Sequence, residues 1–149
     1  EYKVAYSDSY EAMQKRNGNK YITVRKKLVY SQDFDKDVLL IKNYIPTLTL
    51  VHMRDCIEEV GLFDENLKTH EDWDLWIRLS RRFRFIHVRD ITGEFRTRLD
   101  QSNVTFLKQR DFLRTLRLIH SRYCHLATNE RVIHAQRKIQ NCLYDEEPR

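Results

Sequence analysis

The chain has 149 residues, enough for one domain with its own core and too few for several. Hydrophobic residues make up 41% and charged ones 33%, which excludes a low-complexity or fibrous chain, and no apolar run is long enough to span a bilayer. The net charge of +5 and pI near 9.2 favour an anionic partner: a nucleotide sugar, a lipid diphosphate, an anionic membrane face or nucleic acid.

Glu1–Tyr6 alternates loosely and predicts a strand that runs into Ser7-Asp8-Ser9, where Asp8 can serve as a turn or N-cap residue. Asn17-Gly18-Asn19 marks a turn, and Tyr21–Tyr30 reads as an extended segment whose lysines and arginines suit an exposed edge. Asp35 predicts the N-cap of a short helix through Val38, Leu39 and Ile41; Pro46 keeps Ile45 out of helix, and Leu48–Val51 has the look of a buried strand. Met53, Cys56, Ile57 and Val60 make a helical stripe that Gly61 would close in the left-handed conformation, with Leu62 as its hydrophobic contact and Phe63 in the core.

The most informative stretch follows. Thr69 stands three residues before Asp72, the spacing of a loose capping box, so Glu71 and Asp72 are expected in the first turn of a helix. Trp73, Trp76 and Ile77 share one face of it, widened by Leu75 and Leu79; at this spacing the two tryptophans are core before they are sugar platforms. Phe83–Val88 and Ile91–Thr97 predict two strands, with Gly93 permitting a bulge or a close approach. His87 reads as a satisfied strand histidine. Phe112, Leu116, Ile119 and Tyr123 then form one helical stripe, and Val132, Ile133, Gln136, Ile139 and Leu143 a second, capped by Asn129; residues 145–149 are expected to fray. Cys56, Cys124 and Cys142 lie far apart with no CxxC or zinc-ligand spacing, which points to buried thiols in a reducing, cytoplasmic compartment.

Taken together, YSDSYEA, NYIPTLTLV, VGLFDE, HEDWDLWIRL, FIHV and TGEFRTRLDQSN, in this order between Tyr6 and Asn103, resemble the acceptor half of family 2 inverting glycosyltransferases of the GT-A fold. The resemblance implies an α/β fold, a partial GT-A mixed sheet flanked by helices, over residues 1–103, with a helical C-terminal extension over 104–149. It implies a fragment lacking the nucleotide-binding half, inactive alone, whose bare sheet edge would favour self-association. By the same resemblance Asp72 is the general base, with Glu71 orienting it or binding acceptor hydroxyls. A first-turn Asp also feels the positive end of the helix dipole, which favours the carboxylate a base requires. The resemblance further puts Asp8 on a manganese or magnesium ion held by the donor's diphosphate. Where relatives carry a histidine after the Phe-Arg pair this chain has Arg98, so Arg96 or Arg98 is expected on the leaving diphosphate. His70 and Trp73 are the remaining candidates for substrate contact.

The implied partners are a nucleotide sugar donor and a saccharide or lipid-linked saccharide acceptor, at the inner face of the membrane or free of it, in polysaccharide or cell-envelope biosynthesis. Two rivals stand beside this hexosyltransferase-type reading. One is a non-catalytic acceptor-binding module derived from such an enzyme. The other, a nucleic-acid-binding domain, lacks a reading helix or stacking platform to accompany its arginines.

Overall fold

The computed structural model describes residues 1–103 and 107–144. In chain order it forms β1 (Val4–Asn17), β2 (Lys20–Tyr30), α1 (Lys36–Ile41), a 3-10 turn (Thr47–Thr49), β3 (Leu50–His52), α2 (Arg54–Val60), α3 (Glu71–Arg82), β4 (Phe85–Arg98), α4 (Gln109–Arg122), a second 3-10 turn (Cys124–Leu126) and α5 (Glu130–Tyr144). Residues 145–149, where fraying is expected, lie outside the described residues.

β1 organises the sheet. One edge pairs with β4 in parallel from Val4 to Gln14. The other pairs antiparallel with β3 over Val4–Tyr6 and with β2 over Ser9–Asn17. The fold is therefore α/β with a mixed sheet. The helices gather on the face carrying Val4, Tyr6 and Phe85, which join Leu39, Trp73, Leu75, Trp76, Ile77 and Ile119 in the core. Burying a tryptophan removes about 150–250 Å² from water, worth about 4–6 kcal/mol at 25 cal/mol per Å², so Trp73 and Trp76 anchor α3.

The first strand does not stop at Tyr6. Ser7, Asp8 and Ser9 are buried within β1, tolerated because their polar atoms find partners. Ser7 shares a hydrogen bond with the Thr92 hydroxyl, and Asp8 Oδ1 receives one from His87 Nε2 at 2.7 Å. The two strands expected over 83–97 are one. What looked like a gap is a pair of register shifts: Ser7 faces Val88, Asp8 faces Ile91 and Ser9 faces Gly93, so β4 carries extra residues opposite Asp8. Gly93 is a close approach, since a Cβ there would lie 2.0 Å from Leu48 Cδ1 and 3.1 Å from Thr49 Cγ2.

Several other expectations are corrected. Leu48–Val51 is not a buried strand: Thr49 N and Oγ1 both bond to Pro46 O at 3.0 Å, closing the 3-10 turn, and Val51 beyond it is 66% exposed. Gly61 takes a positive φ of 85° but an extended ψ of 165°, not the left-handed cap. The end of α2 is closed instead by Arg78, whose Nη1 donates to Val60 O (2.6 Å) and Gly61 O (3.0 Å) and whose Nη2 donates to Leu62 O (2.8 Å). With a guanidinium on those carbonyls no apolar closure is needed, so Leu62 is 75% exposed and Phe63 44% exposed, in an edge-on contact with Trp76. Cys124 is exposed rather than buried, while Cys56 is buried as expected.

Caps at the other helices follow the sequence more closely. Asp35 Oδ1 accepts from Asp37 N and Val38 N at 2.8 and 3.2 Å. Asn129 Oδ1 accepts from Arg131 N at 2.9 Å. The three successive carbonyls closing α1, which no helix can satisfy internally, each receive a side chain from a different helix. Trp73 Nε1 of α3 donates to Leu39 O (2.6 Å), Gln136 Nε2 of α5 donates to Leu40 O (2.7 Å), and His120 Nε2 of α4 lies 3.0 Å from Ile41 O. The C-terminal helices are thereby bonded into the core they cover.

Candidate functional site

α3 opens with three acids, Glu71, Asp72 and Asp74, in its first turn, and helical geometry sends them in different directions. Asp74 turns inward. Asp72 and Glu71 face a cavity of about 770 Å³. Its walls are the start of α3 (His70–Trp73), the segment after α1 (Lys42, Asn43, Ile45–Leu48), the sheet (Glu11, Tyr30, Phe95, Thr97) and α4 (Phe112, Leu116).

Asp72 is half-buried and held at both oxygens. Oδ1 accepts from the backbone N–H of Trp73 at 2.7 Å and Oδ2 from the hydroxyl of Thr47 at 2.6 Å. Each carboxylate oxygen has two lone pairs, so this arrangement fixes the orientation and still leaves acceptor capacity facing the cavity. Glu71 lines the same cavity and is exposed, with no side-chain bond among the described residues. Thr47 had no sequence signal: it lies 25 residues from Asp72, and only the turn after Pro46 brings it there.

The loose capping box does not form. His70 takes the N-cap position with φ 61°, an uncommon left-handed conformation for a residue other than glycine, and makes no side-chain capping bond. Thr69 is turned away toward α4, where it meets the Thr115 hydroxyl. His70 Nδ1 shares a hydrogen bond with Thr115 Oγ1 at 2.8 Å, and its ring packs against Phe112 at 4.0 Å between centroids. Burial pushes its pKa down from 6.5 to about 4, against an opposing pull from the Asp72 charge. At neutral pH it is an uncharged imidazole in the cavity wall. Trp73 is buried, with its indole N–H given to Leu39 O, so it shows the cavity only part of a ring anchored in the core.

The remaining candidates are not brought to Asp72. Phe95 and Thr97 line the cavity, whereas Arg96 and Arg98 alternate to the opposite face of β4. There Arg96 bonds Glu94 at 3.1 Å and Arg98 stacks on Tyr21 at 4.4 Å. Asp8 is also outside the cavity lining. It begins a chain in which His87 Nε2 meets Asp8 (2.7 Å), His87 Nδ1 meets Asp33 (2.8 Å) and Arg89 meets Asp33 (2.6 Å), with the imidazole stacked on Tyr6. Hydrogen bonds from His87 and then Arg89 hold the Asp33 carboxyl below its ordinary range. His87 is thus the satisfied strand histidine expected, with two carboxylates as its partners.

Magnesium and manganese take several hard oxygen ligands. Among the described residues no group of three or more His, Cys, Asp or Glu side chains could hold a metal ion, and Asp8 alone, already bonded to His87, is not such a set. A cation carried by the donor's diphosphate needs only one or two protein carboxylates, and the structure puts Asp8 outside the lining of the Asp72 cavity. No helix is long and apolar enough to cross a membrane among the described residues.

Asp74 is the functional-looking acid that proves structural. It is 1% exposed and accepts from Arg78 Nε (2.9 Å), Arg122 Nη1 (2.7 Å) and the Tyr123 hydroxyl (2.7 Å). Arg122 also pairs with Asp64 at 2.9 Å, so one buried carboxylate ties α3 to α4 and to the loop after α2.

No family model matches the chain, and no solved structure does either. Over 77 residues it is 27% identical to the uncharacterized glycosyltransferase YwdF of Bacillus subtilis (strain 168). The matched stretch is 52% of this chain and 28% of that protein's length. Through half of its length, then, the chain is similar to part of a protein named as a glycosyltransferase.

Proposed function

We propose that this chain is the acceptor-side, catalytic part of an inverting glycosyltransferase of the GT-A type, with Asp72 as general base. The observation that carries the reading is the Asp72 carboxylate, clamped by Thr47 and the Trp73 amide, at the wall of a cavity large enough for more than one sugar ring. The likeness to a protein named as a glycosyltransferase supports it from a separate direction.

In the proposed step an acceptor hydroxyl gives its proton to Asp72 as its oxygen attacks the anomeric carbon. The bond from that carbon to the nucleoside diphosphate breaks, and its electron pair leaves on the diphosphate oxygen. Glu71, exposed on the same wall and unpaired among the described residues, suits a neighbouring acceptor hydroxyl. His70 presents a neutral ring, which can exchange a hydrogen bond with a sugar without attracting the donor's phosphates. Arg96, Arg98 and Asp8 do not line the cavity, so this reading assigns them no part in the proton transfer.

The test is release of nucleoside diphosphate from a panel of sugar nucleotides, measured in protein that also carries the donor-binding half this reading assigns to it. General base catalysis contributes about 100- to 10,000-fold, and Asp72→Asn should lose that much. Equal release by both proteins would leave Asp72 as a helix-end residue. A folded protein inactive with every donor would favour the non-catalytic acceptor-binding module.

A further inference from the structure

The hairpin of β1 and β2 extends the wall of the cavity past its mouth, and its two faces carry positive charge in different ways. Glu11 and Met13 pair with Phe95 and Thr97 on one side and with Lys27 and Arg25 on the other, so Lys27 and Arg25 share the cavity-facing side of the sheet. Val24 is the extra residue at the register shift between Met13 and Gln14. Beyond it Lys15 pairs with Ile22 and Asn17 with Lys20, which puts Lys15 and Lys20 on that same side.

The cations of the opposite face are all engaged. Lys26 and Arg96 bind Glu94 at 2.5 and 3.1 Å, Arg98 stacks on Tyr21, and Arg16 donates to Gly18 O. Lys15, Lys20, Arg25 and Lys27 are exposed, and among the described residues none of their side chains has an ion pair, hydrogen bond or ring contact. Glu11 stands directly across from Lys27 without closing a pair. At about 3.3 Å per residue the row from Lys20 to Lys27 is about 20 Å long, and it runs along the strands toward the cavity that holds Asp72.

We propose that this row is the track for an acidic polysaccharide acceptor, one with repeating phosphate or carboxylate groups, whose terminal sugar enters the cavity. Four unpaired cations in line fit a linear polyanion, and their continuity with the cavity wall distinguishes a substrate track from a generally basic surface. A bilayer would meet a plane of charge, and duplex recognition needs an element shaped for a groove, which the row lacks.

The inference rests on the glycosyl-transfer reading, but its test does not use turnover. Binding of labelled polygalacturonate and of neutral dextran of matched length is measured by fluorescence anisotropy, between about 50 and 200 mM salt, where electrostatic binding weakens steeply. Polygalacturonate should bind at least tenfold tighter than dextran. The variant Lys15→Gln/Lys20→Gln/Arg25→Gln/Lys27→Gln, changed only at exposed positions, should lose at least tenfold and most of the salt dependence. The charge-keeping variant Lys15→Arg/Lys20→Arg/Arg25→Lys/Lys27→Arg should bind like the parent. Polygalacturonate bound as expected by a folded protein that releases nucleoside diphosphate from no donor would sink the transfer reading alone and leave the track standing. Equal affinity for dextran, or an unaffected glutamine variant, would overturn the track. So would tighter binding to phosphatidylglycerol vesicles or to duplex DNA, which would reassign the row to a membrane or to nucleic acid.

Discussion

Replacing Asp74 by Asn keeps the volume of the side chain and one of its acceptors, removes its charge, and turns an amide N–H₂ toward one of the two guanidinium groups, since Arg78 bonds Oδ2 and Arg122 bonds Oδ1. The variant leaves neither arginine stranded: Arg78 retains the carbonyls of Val60, Gly61 and Leu62, and Arg122 retains Asp64. The cost should therefore fall at or below the low end of the about 3–5 kcal/mol typical when a buried ion pair loses one member and the other is abandoned. Three bonds to a charged acceptor become neutral or repulsive, each losing about 1 kcal/mol, for a total of about 3 kcal/mol. With a urea dependence of about 2 kcal/mol per M, the unfolding midpoint should drop by about 1.5 M.

Equilibrium urea unfolding of the parent and the variant, followed by tryptophan fluorescence, measures this directly. Tyr123→Phe supplies the control. In the parent it removes the hydroxyl's bond to Asp74 and should cost about 1 kcal/mol, whereas in the Asn variant it should cost much less. A loss below about 0.5 kcal/mol for Asp74→Asn, or strict additivity of the two changes, would refute the argument that this carboxylate fastens α4 to α3.

Three further outcomes are expected. Thr47→Val removes the hydroxyl that orients Asp72 and should lower kcat about tenfold, about 1.4 kcal/mol in the barrier, with KM unchanged; a change in KM alone would make Thr47 a substrate contact. Gly93→Val should destabilise the fold by about 1–3 kcal/mol in thermal or urea unfolding, and Gly93→Ala less, because the exposed Leu48 side chain can swing aside while buried Thr49 cannot; a neutral valine would show that no close packing exists there. His70 has a folded pKa near 4 against 6.5 when unfolded, so its contribution is complete above pH 6.5 and is lost as pH falls toward 4, because the unfolded chain binds the proton first. The full loss is about 3 kcal/mol, with buried His120 shifted in the same direction, and His70→Gln should flatten the decline seen in unfolding midpoints over that pH range.

Features written in local spacing were legible in the sequence. The α3 stripe, the Asp35 and Asn129 caps and the exposed β2 edge each depend on residues within one or two turns, and each appears as read. What failed depended on partners far away along the chain. Ser7-Asp8-Ser9 looked like a strand end because three polar residues rarely sit inside a sheet, and only His87 and Thr92, about 80 positions on, make them buriable. Gly61 looked like a left-handed cap, and its N–H does bond Ile57 O, but its ψ is extended because Arg78, 17 residues on, holds the carbonyls of Val60, Gly61 and Leu62 in line. At the candidate site the acids and their helix were readable, while Thr47 and the left-handed His70 were not. Nor was the separation of Arg96 and Arg98 from the cavity, which follows from the strand register and could not be fixed before the extra residues in β4 were placed.

The C-terminal helices, expected as a covering extension, belong to the argument about the site itself. Phe112 and Leu116 of α4 form one wall of the Asp72 cavity, and Thr115 holds the imidazole that begins α3. Asp74 fixes where α4 sits against α3 from the other end of the same first turn, through Arg122 and Tyr123. His120 and Gln136 meanwhile hold the end of α1, from which the segment carrying Thr47 departs. Both elements that orient the Asp72 carboxylate, the start of α3 and the turn after Pro46, are thus braced by α4 and α5. Loosening that brace should be felt at Asp72 before it is felt in the sheet. A change such as His120→Leu, which keeps bulk and removes the bond to Ile41 O, should reduce activity at temperatures where the fold is still intact by circular dichroism. Activity and unfolding that fail together would instead make the helices a uniform part of the core with no special hold on the site.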